Sequence, residues 1–118
     1  MPSRSIDFLL FTIRDNILFA LEFVEGETYD RFAASRLHFY AVTRALEIIS
    51  EASRGLPDDL RDRHSSLPWR AIRDAGNFYR HEYDNVAESY VWKTLHNDLP
   101  LLLAAINAEI DTLPRNSS

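Results

Sequence analysis

The residues of this chain best suited to chemistry fall in one short stretch, Arg73 to Tyr83. Arg73 and Asn77 are four apart, Arg80 lies three beyond Asn77, and His81 lies four beyond it. On a helix those spacings put all four side chains on adjoining parts of one surface. An imidazole beside two guanidinium groups and an amide suits phosphodiester chemistry. His81 would act as general acid or base. Arg73 and Arg80 would hold a phosphate or stabilise its developing charge, and Asn77 would orient either group. Spacing alone favours a plainer reading: a solvated face whose arginines pair with Asp74, Glu82 and Asp84.

Other chemistries find little support. The chain has no Cys, which removes disulfides, thiolate nucleophiles and Cys-based zinc sites. His81-Glu82 opens like HExxH, but Asn85 and Val86 stand where the second His is needed. His38, His64 and His96 have no partner at metal-ligand spacing, so neither a metal nor another cofactor is expected. Gly26, Gly55 and Gly76 are the only glycines, too few and too scattered for a phosphate loop. Glu47 and Glu51 sit near Arg44 and Arg54 without the Glu-x-x-His elements of a di-metal bundle, and read as surface ion pairs.

The elements that must position the Arg73–Tyr83 stretch are helices. From Ser5 to about Glu25, Ile6, Leu9, Leu10, Ile13, Ile17, Ala20, Leu21 and Val24 form one stripe at helical spacing. Phe8, Phe11, Leu18, Phe19 and Phe23 widen the apolar surface beyond that stripe, so one side is a candidate subunit interface. Gly26 ends this helix, and Thr28 or Asp30 starts a second running to about Ser53. Residues 55–68 form a polar connection with room for one turn at Asp58–Arg63. A third helix runs from Trp69 to about Tyr83, with Gly76 inside it. A fourth spans about Ala87 to Leu113, with a kink or split near Asn97–Asp98 because Pro100 removes a donor and crowds the preceding turn. Asp98 is a candidate cap for its second piece, and residues 115–118 read as a frayed tail.

The 118 residues suit one domain, 1–118, with one modest core. The hydrophobic fraction of 46% with seven Phe, five Tyr and two Trp is too apolar for a disordered chain. A net charge of −5 is unlike a protein whose main task is gripping nucleic acid, so any RNA contact rests on a local basic cluster or a partner. No apolar run reaches membrane-spanning length, and MPSRSIDF has no signal-peptide core, so a cytoplasmic protein is expected.

Three stretches together resemble the HepT-like branch of the HEPN superfamily: RALEIISEAS at 44–53, LPWRAIRDAGNFYRHEY at 67–83 and VWKTLHNDLPLLLAAI at 91–106. The resemblance implies an all-α, up-and-down bundle of four to five helices that forms a homodimer. It implies a bacterial toxin subunit, a metal-independent endoribonuclease whose Arg and His line a cleft between subunits. Its partner would be a minimal nucleotidyltransferase antitoxin, which in some such pairs silences the toxin by adding AMP to the motif Tyr. Asn77, His81 and Tyr83 match the motif's Asn, His and Tyr, making Tyr83 the AMP acceptor. The motif's Arg falls at Gly76, which has no side chain to supply charge. Arg73 and Arg80 are the nearest cations. The alternatives are therefore an RNase with a displaced cation, a non-catalytic dimer that binds a nucleotidyltransferase, or a protein that acts on another nucleotide-containing ligand.

Overall fold

The computed structural model describes residues 5–75 and 86–114, and these are helical, with no strand among them. Ser5 starts α1 (Ile6–Phe23), its Oγ accepting the Phe8 amide at 3.2 Å. Beyond α1 the chain reverses at Gly26, whose φ of +76° suits a residue without Cβ. Thr28 then caps α2 (Tyr29–Ala34) through the Arg31 amide.

The single helix expected from residue 28 or 30 to 53 is in fact two. Ser35 takes an extended conformation (φ −105°, ψ 107°), ending α2 and capping α3 (Arg36–Arg54) through the His38 amide. Apolar periodicity runs across this break, because Phe32 and Phe39 both serve the same core. The signal was the cap itself, a serine oxygen able to satisfy a helix-start amide three residues on.

Gly55 closes α3 at a point of close approach. A Cβ there would lie 3.0 Å from the Leu9 Cδ1 on α1. Pro57 leads into α4 (Asp58–Arg63), the single turn expected in the connection, and Pro68 into α5 (Trp69–Asp74). Ala75 follows α5, and the expected continuation of the third helix through Tyr83 falls outside the described residues.

The last helical region comprises α6 (Val86–Lys93), a π-helical segment (Thr94–Asp98) and α7 (Leu99–Asp111). The Leu99 amide donates to the Thr94 carbonyl five residues back, and Pro100 follows with no N–H to give. The widened turn accommodates the proline while the chain stays helical. Two side chains serve carbonyls near it: Thr94 Oγ1 donates to Tyr90 and His96 Nδ1 to Trp92. Asp98 is itself helical and makes no side-chain cap, contrary to the role expected of it.

The core lies between α1, α3 and α7. α1 packs against both of the others, and α5 packs against α3. Leu10, Ile13 and Ile17 meet Leu46, Ile49, Leu102 and Ile106, all essentially without solvent contact. A second cluster joins α2 to α6. Phe32 is fully buried, with ring centroids 5.3 Å from Trp92 and 6.2 Å from Phe39.

A polar clasp ties the α4 end to α7. Glu109, 8% exposed, accepts from Arg63 Nη2 at 2.8 Å and from His64 Nε2 at 2.7 Å. The Arg63 guanidinium holds the Glu109 carboxyl below its usual range, against the upward push of burial. A carboxyl depressed in the folded state stabilises above the unfolded value of about 4.3 and loses that contribution as pH falls through the folded one. Glu109→Gln is therefore expected to lower the melting temperature by several degrees at pH 7, with the gap to wild type closing below about pH 4. Thermal melts of both proteins across that range check this.

Candidate functional site

α5 carries Arg73, the one predicted site residue among those described. Asn77, Arg80, His81 and Tyr83, with the variant position Gly76, lie outside them. The end of α5 is fixed by α3 rather than by its own length. Ser50 Oγ donates to the Ile72 carbonyl at 2.8 Å in a buried contact, and Arg54 Nη2 donates to the Arg73 carbonyl at 2.9 Å. These donors are one helical turn apart, so one face of α3 satisfies two carbonyls that a short helix leaves open.

Neither positioning role was read from sequence. Arg44 does approach Glu47, at 3.7 Å, as a surface pair. Arg54, grouped with Glu51 by spacing, turns instead to the α5 backbone. The available signal was Ser50, a polar residue within an apolar helical stripe. Ser50→Ala is expected to cost about 1 kcal/mol, read as a shift in the urea midpoint at unchanged slope.

Arg73 is half-buried, and its Nε is buried without a hydrogen-bond partner among the described residues. With Asp58, Arg61, Asp62, Ser65 and Trp69 it lines a cleft of about 450 Å³ between α4 and α5. The Trp69 indole is held there by donation from Nε1 to the His64 carbonyl at 3.0 Å. Arg61 pairs with Asp58, which leaves Arg73 facing the cleft without a carboxylate partner among the described residues. A buried donor without a protein partner is a natural place for a ligand oxygen, and an arginine suits phosphate or carboxylate.

On α6, Glu88 Oε1 is likewise buried without a partner among the described residues. Tyr90 nearby has its phenol pushed up, first by burial and then by the charges of Asp98 and Asp74. Burial also raises the Asp98 carboxyl. These unsatisfied and perturbed groups lie on α5, on α6 and on the π-helical segment that continues α6.

The remaining histidines have local structural work. His38 meets Ser35, His64 meets Glu109, and His96 meets the Trp92 carbonyl. Among the described residues no group of His, Asp or Glu is placed to hold a metal, and no helix is long and apolar enough to cross a membrane.

A chain whose described residues are helical, with an arginine-lined cleft between α4 and α5, has clear relatives. The sequence profile of the family described as "Ribonuclease HepT-like" matches residues 13–109, and the chain belongs to that family, within the HEPN superfamily. It is 35% identical over 92 residues to a "probable ribonuclease HepT" of Thermococcus cleftensis, covering 75% of this chain and 84% of the relative. It is 32% identical over 100 residues to a "putative RNase" of Methanocaldococcus jannaschii, covering 85% of this chain and 92% of the relative. A "putative RNase" of Caldanaerobacter subterraneus is 34% identical over 84 residues, or 71% of this chain and 75% of the relative. No solved structure matches the chain significantly.

Proposed function

We propose that this protein is a HepT-like toxin subunit, a cytoplasmic endoribonuclease that cleaves RNA without a metal ion. The observation that carries this reading is Arg73: a half-buried side chain that lines a cleft, its guanidinium Nε without a partner among the described residues, in a chain whose family is named for ribonuclease activity. His81 takes the proton of the attacking hydroxyl or returns one to the leaving oxygen. Arg73 and Arg80 hold the phosphate, in place of the cation that Gly76 lacks, and Asn77 orients it. Two copies of the chain form a homodimer and bring these residues to a shared cleft. A minimal nucleotidyltransferase antitoxin is the hetero-partner, and Tyr83 is the residue it would modify with AMP.

Gly76 favours one other reading, a non-catalytic dimer that keeps only partner binding. RNA cleavage in the presence of EDTA separates the two. Wild type should cleave and His81→Ala should not. Equal rates for both proteins would reject the ribonuclease mechanism.

A further inference from the structure

α1 is apolar on two opposite faces. One face supplies Leu9, Leu10, Ile13, Ile17 and Ala20 to the core. At about 100° per residue, Phe8, Phe11, Leu18, Phe19 and Phe23 fall on the other, within a sector of about 140°. All five are exposed, by 37% to 51%. They form a stripe about 23 Å long, at 1.5 Å per residue. Phe19 stacks on Phe23 with centroids 6.5 Å apart, and the Arg14 guanidinium lies 4.9 Å from the centre of the Phe11 ring. Contiguous exposed apolar surface of this kind marks an interaction site.

This stripe is separate from the Arg73 cleft. α1 packs on α3 and α7, while α5 packs on α3, so its outward face points away from the helix that carries Arg73.

The charges around the stripe identify its occupant. Among the described residues Asp7, Asp15, Glu22 and Glu25 lie in or beside it, against Arg14, which already pairs with Asp15 at 3.0 Å. Beside the C-terminal end of α1, Glu22, Glu25 and Glu27 line a depression of about 400 Å³ together with Leu21, Val24 and His96. The last turn of α1 has no basic residue to offset the negative end of the helix dipole. RNA is repelled by such a surface. A second copy of the chain fits less well in a parallel two-fold, which sets each of these acids against itself. Like charges brought together in this way oppose association.

We infer that the outer face of α1 docks a partner protein that presents an amphipathic helix, apolar along one stripe and flanked by Lys and Arg. The aromatic stripe supplies the buried area, and the carboxylates select the basic flank.

The test uses the full chain and two labelled model peptides of about five helical turns, identical in their leucine stripe, one flanked by Lys and one by Glu. Fluorescence anisotropy should show the Lys peptide binding at least about tenfold more tightly, with affinity falling as salt is raised. Phe11→Ser with Phe19→Ser should abolish binding while circular dichroism stays unchanged. Asp15→Lys with Glu22→Lys and Glu25→Lys should reverse the preference. Equal binding of both peptides, binding that survives the Phe changes, or no binding at about 100 μM would overturn the proposal. So would sedimentation showing that the Phe changes reduce wild type to a smaller species, since the face would then be a self-interface. None of these readouts involves RNA cleavage, so they stand or fall apart from the nuclease reading.

Discussion

Arg73→Ala is expected to slow RNA cleavage by roughly a hundredfold to a thousandfold, the usual loss when one preorganised donor to developing charge is removed. The expectation follows from where the guanidinium sits. The side chain lines the cleft and its Nε has no partner among the described residues, so a phosphate held there would meet a donor that the fold leaves unmet. Arg73→Lys should recover little, because an ammonium is a point charge and offers no Nε fork. Single-turnover rates with saturating protein give the comparison. The melting temperature should move little, since the contacts that fix α5 go to the Arg73 carbonyl and not to its side chain. Cleavage by Arg73→Ala within about threefold of wild type would take Arg73 out of the chemistry and leave Arg80 as the working cation.

Phe32→Ala should have the largest effect on folding, a loss of about 3–5 kcal/mol. Phe32 has no solvent exposure, and its ring is the centre of a cluster with Phe39 and Trp92. It is also the buried residue of α2, a helix of six residues that cannot persist on local propensity. A domain of this size has about 5–15 kcal/mol in total, so the variant should be close to unfolded at 37 °C. Urea titration followed by tryptophan fluorescence measures this directly, because Trp92 reports the same cluster. Tyr40→Ala, on a side chain 61% exposed, is the matched control and should fall within about 0.5 kcal/mol of wild type.

Much of the scaffold was legible because apolar spacing and cap residues agree with one another. α1 follows its stripe from the Ser5 cap, with Leu9, Leu10, Ile13, Ile17, Ala20 and Val24 buried, while Ile6 at its start is exposed and Leu21 only partly buried. The turn at Asp58–Arg63 was visible between two prolines. Ser35 was missed because periodicity records which face is buried, not whether the backbone is continuous between two helices that share that face. The irregularity near Pro100 was legible, but its form was not: a missing N–H can be met by a kink, a break or a wider turn, and Thr94–Asp98 takes the last. Of the candidate site, spacing from Asn77, Arg80 and His81 singles out Arg73, and the structure places it on a cleft. What holds it was not found, because Ser50 and Arg54 act through backbone carbonyls nineteen or more positions away, and short-range spacing carries no trace of such contacts.

The five residues from Thr94 to Asp98 also act as a gear between two parts of the molecule. A π turn is in effect an α-helix holding one residue more than its pitch allows, so it offsets everything before it by about 100° relative to everything after it. With that offset, Trp92 points its ring at Phe32 while Leu99, Leu102 and Ile106 stay in the main core. A uniformly wound rod could not satisfy both neighbours at once. The aromatic cluster that steadies α2 and the aliphatic seam along α1 are therefore kept in step by one surplus amino acid, and losing it would force the chain to choose between them.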